Sequence, residues 1–150
     1  MESIAQLKAG HWVKIKGDYT DGAFTALGIT VKSDRGYSAL IGKITDLTND
    51  PSSCLILGRA MQINNETSLL NIESETTSFD HLKIGAIAKA KGEFHKDKGM
   101  CVTSLECREA RGFDKDQIQG TIDAVNVEKG EFYILGIPVQ VDKLTEIKGF

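Results

Sequence analysis

Residues 7–19 read LKAGHWVKIKGDY, and residues 82–94 read LKIGAIAKAKGEF. At an offset of 75, Leu7, Lys8, Gly10, Lys14, Lys16 and Gly17 recur as Leu82, Lys83, Gly85, Lys89, Lys91 and Gly92, and Asp18-Tyr19 is matched by Glu93-Phe94. A second match runs at an offset of 78. Gly42 and Ile44 recur as Gly120 and Ile122, Ile56-Leu57-Gly58 as Ile134-Leu135-Gly136, Gln62 as Gln140 and Thr67 as Thr145. Both matches are gapless and keep the same order. One unit is written twice in 150 residues, and such self-similarity fixes architecture ahead of any single element.

The repeated segments read as strands. In Trp12-Val13-Lys14-Ile15-Lys16, period-2 alternation sends Val13 and Ile15 to one face and the lysines to the other. Asp21-Gly22 and Lys98-Gly99 mark tight turns leading into Phe24–Val31 and Met100–Cys107. Leu40–Leu47 and Ile118–Val127 follow the same pattern. Cys54–Leu57 and Phe132–Leu135 then turn at Gly58 and Gly136 into Ala60–Ile63 and Pro138–Val141. About ten strands result, five per copy. The helical content predicted is one short turn over 78–83, with Ser78 as N-cap and Gly85 as stop, and a counterpart at Ile4–Lys8.

The order of these pieces predicts an all-β fold of two OB-like five-stranded barrels with very short helices. Residues 37–110 carry three strands, the short helix and two strands, which is the OB arrangement. The ends carry the complementary halves, so residues 1–34 plus 115–150 are expected to complete a second barrel, chain termini commonly lying close together.

Gly-x-Ile, the strand pair around Ile-Leu-Gly, a Thr, then Phe-x-x-Leu-x-x-Gly and Lys-x-Lys-Gly together resemble a bacterial family of small OB-like β-barrel domains of unknown function. The resemblance covers residues 39–108 best and the two end halves separately. That family is usually found in exported proteins and lipoproteins, often in tandem. The resemblance implies a barrel and brings no functional residues. It also implies a periplasmic or extracellular setting if the chain is a trimmed piece of an exported protein. No basic segment followed by an apolar run opens the sequence, so the compartment stays open.

Composition narrows the function. Gly is 15 of 150 and Pro only 2, which suits short strands joined by glycine turns. The formal net charge is −3, without the basic excess that duplex nucleic-acid binding draws on. No apolar run reaches a membrane span. The cysteines are Cys54, Cys101 and Cys107. The last two lie six apart on one strand, too far to bridge each other; Cys54 could pair with either, or all three serve as small buried hydrophobes.

Catalytic patterns are missing: there is no Gly-x-Ser-x-Gly elbow, phosphate-binding loop or His-Glu-x-x-His. The best metal candidate, Asp80-His81 with His95-Lys96-Asp97, reads as solvated loop residues, and Cys-x-x-Cys is absent. Asn65-Glu66-Thr67 fits a glycosylation triplet but reads as a polar turn. The expectation is a non-catalytic protein without cofactor or metal.

The most informative surface is the Trp12, Lys14, Lys16 face, repeated in part as Ile87, Lys89 and Lys91. An aromatic ring beside two lysines is how OB folds present a stacking platform to single strands or sugars; alternatively, Trp12 caps the barrel. Two functions are weighed. The first is an interaction or structural module with an unknown protein partner, alone or as an assembly subunit, with oligomers by strand exchange allowed. The second is an OB-type binder of single-stranded nucleic acid or oligosaccharide through Trp12, Lys14, Lys16, Lys89 and Lys91.

Overall fold

Alternating apolar and polar residues make thirteen strands among the described residues. The computed structural model describes residues 4–49, 52–109 and 115–149. Its strands are β1 Trp12–Thr20, β2 Ala23–Lys32, β3 Ser38–Thr48, β4 Ser53–Ile56, β5 Arg59–Gln62, β6 Ser68–Leu70, β7 Ile87–His95, β8 Gly99–Arg108, β9 Asp116–Thr121, β10 Ala124–Asn126, β11 Glu131–Ile134, β12 Ile137–Gln140 and β13 Glu146–Lys148. Among the described residues, helix is limited to two single 3₁₀ turns, Ile4–Gln6 and Phe79–His81. The chain is all-β and divides into two units: unit 1 takes residues 1–38 and 115–150, unit 2 residues 39–114.

In unit 2, β3 pairs with β4, β4 with β5, β5 with β8, β8 with β7, and β7 returns to β3, which closes a five-stranded barrel. The extra strand β6 lies parallel on β8. Ile44, Ile56, Met61, Ile87, Met100 and Leu105 are fully buried within it.

In unit 1 the ladder runs β10-β11-β12-β2-β1-β9, with β13 parallel on β2. The two ends of the chain meet here: β1 pairs antiparallel with β9 from Trp12↔Thr121 to Gly17↔Asp116, the joining of ends that a half unit at each end predicts. Ile15, Phe24, Ile29, Ile118 and Phe132 are fully buried.

The repeat extends to individual hydrogen bonds. Thr67 Oγ1 donates to the Val102 carbonyl and Thr145 Oγ1 to the Ala26 carbonyl, each at 2.7 Å. Ile44 N–H donates to Ala86 O, as Ile122 N–H does to His11 O, each at 2.8 Å. The repeated Ile-Leu-Gly is a turn with left-handed backbone at two successive residues, φ 51° and 71° at Leu57-Gly58 and 53° and 74° at Leu135-Gly136. Such two-residue hairpins need φ > 0 at both positions. A left-handed leucine costs roughly 1–2 kcal/mol, while burying its side chain contributes about 1.5–3 kcal/mol. Burial wins, since Leu57 and Leu135 are only 5% and 4% exposed.

Gly17 and Gly92 have a different duty. The β1–β2 register slips between Lys16 and Gly17, and the β7–β8 register between Lys91 and Gly92. A Cβ at Gly17 would overlap the carbonyl oxygen of Thr25, and one at Gly92 that of Cys101. The partner strand crosses so closely at these bulges that only hydrogen fits.

The structure departs from the sequence expectation in detail. β6 and β13 are additional, three residues each being too short to show a period. Ile118–Val127 is broken into β9 and β10 at Ile122-Asp123. The predicted turn over 78–83 shrinks to Phe79–His81; Ser78 makes no side-chain cap bond, and its Oγ lies 3.0 Å from His81 Nδ1 instead.

Gly17→Ala or Gly92→Ala is expected to lower stability in urea by about 3 kcal/mol, as overpacking against backbone does. Gly28→Ala, with nothing within 4 Å of the added carbon, should change it by less than about 1 kcal/mol. Equal effects at all three positions would refute the close-approach assignment.

Candidate functional site

The candidate face is built on β1, β2 and β13 of unit 1. Val13 and Ile15 are fully buried, so Lys14 and Lys16 project from the opposite side of β1. Across β2, Lys14 stands opposite Thr30 and Lys16 opposite Gly28. Parallel pairing of β13 sets Lys148 beside Thr30 and Glu146 beside Gly28. Lys32 continues β2 opposite Trp12. Lys14, Lys16, Lys32 and Lys148 thus line a groove of about 380 Å³ with Gly28, Ile29 and Thr30, and Glu146 is the carboxylate at its wall.

The charges in this groove repel one another. Among the described residues none of the four lysines forms an ion pair. The Lys14 ammonium is held below the ordinary lysine range, first by burial and then by Lys32, Lys16 and Arg35. Both causes disfavour its charged form. A bound anion would relieve the second.

The Trp12 ring is buried. It is 3% exposed, its Nε1–H donates to the Tyr37 carbonyl at 3.0 Å, and the Tyr37 ring meets it edge-on with centroids 6.0 Å apart. Strand parity places Trp12 on the side of Lys14, but the Tyr37 segment covers it. A stacking ring needs a free face, and this one has none. Of the five residues singled out in the sequence, the structure joins Lys14 and Lys16 in one groove and takes Trp12 into the interior.

Lys89 and Lys91 occupy the corresponding places in unit 2, with different neighbours. Lys89 is opposite Glu106 and Lys91 opposite Ser104; β6 brings Ser68 and Leu70 where β13 brings Glu146 and Lys148. Glu106 also pairs with Arg108 at 3.6 Å. Where unit 1 has a hydroxyl among lysines, unit 2 has its own carboxylate.

Other features carry less chemistry. A depression of about 660 Å³ in unit 2 is lined by Arg59, Phe94 and the Lys96-Asp97-Lys98 turn, where Gln62 Nε2 donates to Lys98 O at 3.1 Å. Among the described residues, buried Arg59 Nε has no hydrogen-bond partner. All three cysteines are free thiols; burial pushes Cys54 up to about 12, with Cys107 adding to the shift. Among the described residues no three His, Cys, Asp or Glu side chains are grouped for a metal, and no helix is long and apolar enough to cross a membrane.

Thr30, Lys32 and Lys148 were not legible as site residues. Counting back from Asp21-Gly22, Thr20↔Ala23 extrapolates to Lys14 facing Ile29. The bulge adds Leu27 to β2 and moves Lys14 onto Thr30. A one-residue slip exchanges the faces of a strand, so the bulge decides which β2 side chains join the lysines. The hint available was Gly17 itself, repeated as Gly92.

Trp12 is the sole tryptophan, so its emission reports this site directly. Trp12→Ala is expected to cost about 3–5 kcal/mol of stability, and wild-type emission should be blue-shifted and unmoved by oligothymidylate. Quenching by the oligonucleotide, with the variant as stable as the parent, would contradict this placement.

Residues 119–150, from the end of β9 through β13, are similar to a domain of unknown function, DUF5666. No curated protein and no solved structure matches the chain.

Proposed function

We propose that the chain is a non-catalytic interaction module built of two OB-like barrels, residues 37–110 and residues 1–34 plus 115–150, and that it captures an acidic partner on the β1–β2–β13 face of unit 1. The observation that carries this reading is the groove of four lysines without an ion pair among the described residues. Folded chains ordinarily disperse such charges or pair them, because clustered cations oppose the compact state. The groove lining is four lysines, one glutamate, Thr30, Gly28 and Ile29, a set suited to holding negative charge. Recognition by charge is what its residues can do.

Binding of single-stranded nucleic acid or oligosaccharide is the second reading, and the same lysines support it. Burial of Trp12 takes away its stacking component and leaves phosphate or carboxylate contacts alone.

With a net charge of −3, the protein should nonetheless be retained on phosphocellulose at pH 7 and low salt if the face acts as a unit. Retention is expected to disappear in Lys14→Gln/Lys32→Gln/Lys148→Gln and to persist in Lys89→Gln/Lys91→Gln. Flow-through of the wild type, or equal losses in both variants, would refute the assignment.

A further inference from the structure

Thr30 stands at the centre of the lysine face. Lys14 on β1 and Lys148 on β13 are its direct neighbours across the ladder, one strand spacing of about 4.8 Å to either side. Lys32 lies two residues along β2, about 6.7 Å away. Thr30 lines the groove, and among the described residues its hydroxyl has no hydrogen-bond partner. Gly28 beside it adds no side chain, and a Cβ there would meet nothing within 4 Å, so the floor is open.

Unit 2 shows what this position accommodates. Thr30 faces Lys14 as Glu106 faces Lys89, and Lys32 faces Trp12 as Arg108 faces Ile87. Glu106 therefore sits in the place of Thr30, and its carboxylate is paired with Arg108, the counterpart of Lys32. The same place in unit 2 holds a built-in oxyanion, and in unit 1 a hydroxyl whose ladder neighbours are Lys14 and Lys148, with Lys32 two residues along the strand. Lys148 adds a cation where unit 2 has Leu70. Against Lys14, Lys16, Lys32 and Lys148 the groove sets, among the described residues, only Glu146, so a multiply charged anion suits it better than a single carboxylate. With Trp12 buried, no ring among the described residues lines the groove to hold a base, which favours the oxyanion group itself.

We propose that unit 1 binds a compact oligophosphate at the position that unit 2 fills with Glu106, with Lys14, Lys32 and Lys148 contacting its oxygens and the Thr30 hydroxyl donating from below. This rests on the charge-capture reading above and names the ligand class for that face. The phosphates can belong to a free oligophosphate or to a nucleotide; the groove chemistry is the same.

Calorimetric titration of the full chain in low-salt, metal-free buffer, with inorganic tripolyphosphate as the probe, tests it. Saturable one-to-one binding is expected. Lys14→Gln should weaken it about tenfold or more, the loss typical of a charge-assisted hydrogen bond. Thr30→Glu, which installs the carboxylate of unit 2, should abolish it, whereas Lys91→Gln should leave it unchanged. Thr30→Val keeps the β-branched shape and serves as a folding control, its binding expected to fall several-fold. Adenosine triphosphate is the second arm: equal affinity assigns free oligophosphate, and tighter binding assigns a nucleotide. No saturable binding by the wild type, or undiminished binding by a folded Thr30→Glu variant, would overturn the proposal. If oligothymidylate binds and tripolyphosphate does not, the ligand class is wrong and the face survives. If neither binds and phosphocellulose retention also fails, both readings fall together.

Discussion

Unit 1 exists because β1 and β9 pair across the intervening residues 21–115 of the chain. Each end of the sequence carries only part of the repeated unit, and neither part can bury its apolar face alone. Val13 and Ile15 on β1 and Ile118 on β9 are fully buried only because the Trp12–Gly17 and Asp116–Thr121 segments lie side by side. The same register aligns β2 and, through it, β13. The lysine groove is thus a product of long-range closure, since three of its lysines come from the first 32 residues and the fourth from the last strand.

The two units illustrate how one backbone plan carries two electrostatic outcomes. The bulges at Gly17 and Gly92, the turns at Leu57 and Leu135, and the Thr67 and Thr145 bonds are held in common because each meets a steric or hydrogen-bonding demand of the backbone. Surface positions on the equivalent strands are under no such demand. There unit 2 has Glu106, Leu70 and Arg108, and unit 1 has Thr30, Lys148 and Lys32. Neutralising an exposed face with a pair such as Glu106–Arg108 contributes little to stability, because surface ion pairs are worth about 0–1 kcal/mol. The Glu106–Arg108 pair of unit 2 is thus no requirement of its fold, and under the charge-capture proposal the difference between the units concerns the face and not the framework.

Much of the architecture was legible in the residues. The repeat, the period-2 strands and the glycine turns led to an all-β chain with its ends joined, because these signals are local and written twice. What escaped was set by single-residue geometry. The extra residue Leu27 rotates β2 so that Thr30 and Lys32 share the lysine side, and alternation counted from Asp21-Gly22 misses this. β13 is too short to declare itself, so Lys148 read as tail. Trp12 has the expected backbone parity and is buried, as the capping alternative required; only its partner, the Tyr37 carbonyl, is a contact that strand alternation does not encode.

Closure of unit 1 by its own two ends is the claim on which the groove depends. Cross-strand NMR contacts between the backbones of Ile15 and Ile118, and of Trp12 and Thr121, measured in a labelled sample diluted with unlabelled protein, test it most directly. Contacts that persist at full relative intensity on dilution are the predicted result, since both strands then belong to one molecule. Contacts that fade with dilution, that shift by a residue, or that never appear would contradict it.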